Sequence, residues 1–184
     1  MDFVPTTIAD VIEIRPRRHG DNRGWFAETF KQAALLEHGI DLEFTQDNES
    51  FSAPAGTLRG LHYQTDPHAQ AKIVRVVRGS ILDVAVDIRR TSPTFGQHVA
   101  VTLTADAGNQ LLVPVGFAHG FCTLEPDVQV AYKVTGAYAP DCERSLRWDD
   151  PTIAVDWPDF GPDGPVMSDK DLDAPLLTDQ PDLF

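Results

Sequence analysis

No stretch of the 184-residue chain is apolar over the ~18 residues a membrane-crossing helix needs, which excludes a helical membrane protein. The opening residues, MDFVPTTIADVIEI, lack the basic start of a secretory leader. Two cysteines, Cys122 and Cys142, are too few for a disulfide framework, and both are expected as reduced thiols in a cytoplasmic protein. There is no glycine-rich phosphate loop, no alternation of strands with helices and no repeat at a solenoid period. Those absences remove the doubly wound nucleotide-binding folds and the repeat architectures. Positive charge is scarce: 15 Lys and Arg against 28 Asp and Glu give a net charge of −13. Such a surface repels a phosphate backbone, so nucleic acid is not an expected partner. The imbalance is concentrated in residues 141–184, where twelve acids face only Arg144, Arg147 and Lys170. This acidic segment is expected to be a solvated face.

What is present points to β structure. Apolar content is ordinary, and the 14 prolines and 13 glycines are scattered, as in a globular protein whose length suits a single domain over 1–184. AKIVRVV (71–77) and ILDVAVDI (81–88) are rich in β-branched residues and flank Arg78-Gly79-Ser80, a tight hairpin signal. GQHVAVTLTA (96–105), QLLVP, HGFCTL and VQVAYKVTG continue the series with short turns between them. Helices are expected only at 29–39 and near 169–177. The fold class is therefore all-β, a sandwich or jelly-roll barrel with a few short peripheral helices. TTIADVIEIRP (6–16) and DLEFTQDNESFS (41–52) each hold a plausible strand. Because a strand edge left open invites pairing with another chain, strands within 1–58 are expected to contribute to a homodimer. An acidic C-terminal segment, 160–184, completes the chain.

Two motifs carry the chemistry. In GNQLLVPVGFAHGFCT (108–123), the spacing of Gly108, Pro114, Gly116 and His119 resembles the second motif of the cupin jelly-roll barrels. Upstream, Gly60, His62, Lys72 and Gly79 form the skeleton of the first. Metal-binding cupins place two histidines and a carboxylate in that first stretch and a third histidine in the second. Here Lys72 occupies the carboxylate position. An ammonium has donors and no lone pair, so it cannot ligate a cation and repels one. Lys72 instead suits a pocket that holds negative charge, and no metal is expected. His68, in an Asp- and Pro-flanked turn, is expected to face solvent.

The segments TLRGLHYQ, AQAKIVRVVRGSILDVAVDIRRTSPTFGQ, LLVPVGFAHGF, ERSLRWDDPTIAVDWP and SDKD, together with GDNRGWFAETF near the start, closely resemble the dTDP-4-dehydrorhamnose 3,5-epimerase family. The resemblance spans nearly the whole chain. It implies a metal-free, cofactor-free cupin acting on a dTDP-linked 4-keto-6-deoxyhexose. Moving a hydrogen from one face of a carbon beside a ketone to the other requires a base, an acid opposite it, and donors for the enolate oxygen. The resemblance assigns His62 as base, Asp171 as its carboxylate partner and Tyr132 as acid, with Lys72 at the keto or enolate oxygen. Asp169, two residues before Asp171, remains open as the histidine's partner. Substrate contacts implied in the same way are Arg59, His119, Arg23, Glu28, Gln46, Asn48, Tyr138, Glu143 and Lys170, with Tyr138 a candidate to stack on thymine and Arg23 suited to phosphate. Ser145 and Leu146 stand where the family commonly has glycine and an aliphatic residue, a departure that leaves the chemistry in place.

Three alternatives stay open on the residues. A relative could invert one centre instead of two, a cupin could hold a metal and act as an oxygenase, and a module could bind a sugar nucleotide without acting on it.

Overall fold

All 184 residues are described in a computed structural model. Its thirteen strands are β1 (Asp2–Pro5), β2 (Ile12–Arg15), β3 (Arg18–Asp21), β4 (Gly24–Ala27), β5 (Gln46–Ser52), β6 (Leu58–Gln64), β7 (Lys72–Arg78), β8 (Ser80–Asp87), β9 (His98–Thr104), β10 (Gln110–Val113), β11 (Phe117–Thr123), β12 (Val128–Val134) and β13 (Glu143–Ser145). Two short helices, α1 (Gln32–Glu37) and α2 (Asp169–Leu172), fall inside the segments expected to be helical. Six strands form one antiparallel sheet in the order β1-β2-β10-β7-β12-β5, and five form a second in the order β13-β6-β11-β8-β9. The pair β3–β4 stands apart as a two-stranded ribbon.

The two sheets face each other over a core supplied by alternate residues. Val74 and Val76 of β7, Leu111 and Val113 of β10, and Val128 and Val130 of β12 pack against Ile81 and Ala85 of β8, Val99 and Leu103 of β9, and Phe117 and Phe121 of β11. Each of these Val, Leu, Ile and Phe side chains contributes about 1.5–3 kcal/mol when fully withdrawn from water. The expected hairpin at Arg78-Gly79-Ser80 does not form: β7 and β8 lie in different sheets. Both edges of β7 are taken by β10 and β12, and both edges of β8 by β11 and β9, so the chain turns a corner at Gly79 instead of folding back. Gly79 has φ +83°, and a Cβ there would lie 2.8 Å from the Val128 side chain, so only glycine makes this turn without strain.

The outer face of the five-stranded sheet is covered by the C-terminal third, with Leu146, Ile153 and Leu177 packed on Leu61, Tyr63, Val84, Val86 and Ala118. The acidic segment is therefore not wholly a solvated face. Asp150 is 1% exposed and accepts the N–H groups of Thr152, Ile153 and Leu177. The strands expected within 6–16 and 41–52 are β2 and β5; residues 6–11 form a turn before β2, and 41–45 precede β5 without strand pairing.

Candidate active site

The site begins with an irregularity in β6. In the register of β6 with β11, His62 pairs with His119 and Arg59 with Phe121, so three steps on one strand match two on the other. Residues three apart on a regular strand point to opposite faces; the bulge turns both Arg59 and His62 inward. It occurs where Gly60 meets Gly120. A Cβ on Gly60 would lie 2.5 Å from the Gly120 Cα, and one on Gly120 would lie 2.7 Å from the Arg59 carbonyl oxygen. The glycines in RGLH and AHGF thus permit the backbone approach that aims the chemical residues.

Arg59, His62, His119 and Phe121 project from the five-stranded sheet, and Lys72, Tyr132 and Ser50 from the six-stranded sheet, into a cavity of about 550 Å³. Its floor is inter-sheet core. One wall comes from the returning tail, where Val166 bonds the backbone of Gly56 and Leu58 and bridges beside Thr57. That return brings Ser168, Lys170 and Asp171 to the cavity. Ser168 caps α2, its Oγ accepting from the Asp171 N–H at 3.3 Å. A second recess of about 350 Å³ shares His62, Lys72 and Tyr132 and extends outward past Gln46, Asn48, Tyr138 and Glu143. Cavities of this size suit small ligands.

Asp171, not the exposed Asp169, reaches the histidine, with Oδ1 2.6 Å from His62 Nε2. Asp171 is 4% exposed. Burial would raise its carboxyl, but His62, the Gly60 N–H and Ser168 together outweigh burial and hold it below the usual carboxylate range. Since Nε2 faces Asp171, Nδ1 is left as the ring nitrogen without a protein partner. Across the cavity, burial pushes the Tyr132 phenol above its ordinary range against the opposing charge of Arg59, so it keeps its proton. Burial lowers the Lys72 ammonium to about 8, with Asp83 and Glu143 opposing the shift. Arg59 is braced by Ser52 Oγ at 3.2 Å and the Phe51 carbonyl at 3.1 Å. At the mouth, Glu143 accepts from the Tyr138 hydroxyl at 2.7 Å and pairs with Lys170 at 2.6 Å, while Gln46 donates to Asn48 at 2.7 Å.

Eleven of the thirteen residues singled out in the sequence thus line two adjoining recesses. Arg23 and Glu28 do not join them. Arg23 lies in the β3–β4 ribbon with its side chain 84% exposed and paired to Asp21, and Glu28 lines a third recess beside Phe30 and Lys133 that meets the other two only at Asn48 and Tyr132. The ribbon pairs only with itself, so nothing in its own chain draws it over the cavity. Leu58, Phe121 and Met167, not singled out in the sequence, line the site as apolar surface, and Asp83 is buried behind His119 at 2.8 Å. Asp83 had a signal, an acid at an inward position of an apolar strand. His68 is exposed, as its turn implied. No three His, Cys, Asp or Glu side chains converge in a way that could hold a metal ion.

The family model described as dTDP-4-dehydrorhamnose 3,5-epimerase matches residues 5–179. The chain belongs to this family. A dTDP-4-dehydrorhamnose 3,5-epimerase of Sinorhizobium fredii is 47% identical over 184 residues, covering 100% of this chain and 93% of that protein. The solved epimerase of Legionella pneumophila, in complex with dTDP-4-keto-L-rhamnose, superposes with a TM-score of 0.91 at 44% identity, covering 96% of this chain and 93% of that one. The family's breadth shows in ChmJ, a 3'-monoepimerase from Streptomyces bikiniensis solved with dTDP-quinovose. It has a TM-score of 0.87 and 35% identity over 95% of this chain and 87% of that one. Family membership makes this chain an epimerase and the jelly-roll its scaffold.

Proposed function

We propose that the protein inverts C3 and C5 of dTDP-4-dehydro-6-deoxy-D-glucose to give dTDP-4-dehydro-L-rhamnose. The observation that carries this reading is the opposition of His62, bonded to Asp171 on one wall, to Tyr132 and Lys72 on the other. With the sugar between the walls, His62 Nδ1 takes the proton from the carbon beside the ketone. The ring becomes an imidazolium whose Nε2–H donates to Asp171, which fixes its orientation and stabilises its charge. The electron pair moves to the ketone oxygen, where Lys72 meets the developing negative charge. Tyr132 then returns its hydroxyl proton to the opposite face; His62 gives its proton to water and the Tyr132 phenolate takes one up from water, and the cycle repeats at the second carbon. Arg59 and His119 hold the neighbouring oxygens. The nucleotide extends toward the mouth, with Tyr138 against thymine and Gln46, Asn48, Glu143 and Lys170 on its polar groups. Side chains alone perform these steps.

The test is proton NMR of dTDP-4-keto-6-deoxyglucose incubated with the protein in D₂O containing a chelator. Loss of both the C3 and C5 signals with appearance of the L-rhamno product is expected. Exchange at one carbon only would make this a single-centre enzyme, and no exchange would overturn the reading.

We further propose that the active form is a cytoplasmic homodimer in which Arg23 and Glu28 complete the partner's nucleotide site. Trp25 is 59% and Phe26 71% exposed on a ribbon with free edges, an apolar surface that water disfavours. Sedimentation is expected to give twice the 20.3 kDa chain mass. Trp25→Asp should yield a monomer with KM raised at least about tenfold, the effect of losing a charge-assisted phosphate contact. A Trp25→Asp protein that sediments unchanged with unchanged KM would exclude this interface.

A further inference from the structure

We propose that Asp83 is a positioning residue for the enolate site, one carboxylate oxygen holding His119 and its buried charge acting across the sandwich on Lys72. The inference rests on the epimerase reading above for its kinetic consequence, though not for its physical basis. Asp83 lies on β8 between the inward-facing Ile81 and Ala85 and is completely buried. Its Oδ1 accepts from His119 Nε2 at 2.8 Å, which fixes which ring nitrogen carries a proton and how the ring sits in the cavity wall. Its Oδ2 is buried with no hydrogen-bond partner.

A carboxylate oxygen left bare in the interior is costly unless a charge compensates it. Asp87, four residues on and on the same face of the same strand, shows what a purely structural acid looks like here. Its oxygens are filled by Arg89, Ser92 and Thr94. Asp83 has no such cage. No ion pair fills that oxygen, and the cation it acts on lies on the facing sheet: Lys72, for which Asp83 is the first influence opposing loss of the ammonium proton. Among the other ionisable groups around Lys72, only Glu143 adds to that support, and less than Asp83 does. Arg59, His62, His119 and Lys170 are cations or potential cations, and Tyr132 is a neutral phenol. Asp171 is engaged by His62, and Glu143 is shared between Tyr138 and Lys170. Asp83 therefore sets the pH up to which the cavity holds its positive charge, without touching the sugar.

In Asp83→Asn, the alkaline limb of kcat/KM should move down by about half to one pH unit, and Asp83→Glu should bring it back toward the wild-type position. A folded Asp83→Asn protein whose limb stays in place would overturn the proposal, as would a uniform loss of rate at every pH. A second measurement needs no Asp83 variant and no turnover, so it separates this inference from the assignment of the reaction. In the wild-type protein labelled with 13Cγ-aspartate, one buried carboxylate resonance should step near pH 8, and the step should vanish in Lys72→Met. A carboxylate spectrum without any step that depends on Lys72 would rule the coupling out, whether or not the protein epimerises the sugar.

Discussion

His62→Ala is expected to stop exchange at both sugar carbons, lowering kcat/KM by about two to four orders of magnitude while leaving the fold intact. That is the range for removal of a positioned proton-transfer group. The side chain is only part of a wall, 29% exposed, and it bonds one neighbour, so its loss opens space without unpinning a strand. Asp171→Asn should cost less, because an amide still accepts from Nε2–H but no longer stabilises the imidazolium. Tyr132→Phe should separate the two halves of the reaction. With the base intact and the acid gone, deuterium enters at C3 and C5 with little inversion, since the proton returns from the face it left. The same NMR experiment in D₂O reads all three variants. A His62→Ala protein that exchanges the C3 or C5 hydrogen within about tenfold of the wild-type rate would remove His62 from the role of base.

Strand existence and the motif residues were legible because both depend on local pattern. Val74, Val76, Val128 and Val130 alternate, and the alternation alone puts Lys72 and Tyr132 on the same inward face. What was not legible depends on partners distant in the chain. Arg78-Gly79-Ser80 reads as a hairpin until β10, β12, β9 and β11 have claimed the edges of β7 and β8. The three-residue spacing of Arg59 and His62 argues against a shared face until the bulge against Gly120 is known. Asp150 and Asp171 look like surface acids in a sequence crowded with them. Their burial becomes tolerable only when N–H groups from Thr152, Ile153 and Leu177 reach the first, and His62 from 109 residues away reaches the second. The β3–β4 ribbon was invisible as structure, since Arg18–Ala27 carries no apolar alternation that faces a core of its own.

Lys72→Met should lower kcat/KM by about two to three orders of magnitude, the usual effect of removing a donor aimed at a developing oxyanion. An enolate of a ketone is far more basic than imidazole, so without a cation at the oxygen the proton simply returns to His62. The pH dependence follows from the same group. Burial lowers the ammonium from 10.5 to about 8, so the charge is present below that pH and lost above it, and kcat/KM should fall as pH rises through about 8. Lys72→Arg should abolish this particular fall, because a guanidinium stays protonated throughout, even if its bulk lowers the maximum rate. Folding stability responds with the opposite sense. Between about 8 and 10.5 the unfolded chain binds a proton at Lys72 that the native chain has released, so this group makes stability rise with pH across the window where activity falls. The two trends should cross in one protein, with thermal unfolding and initial rates measured in the same buffers. An alkaline limb that survives unchanged in Lys72→Arg would assign the titration to another group and leave the enolate without its cation.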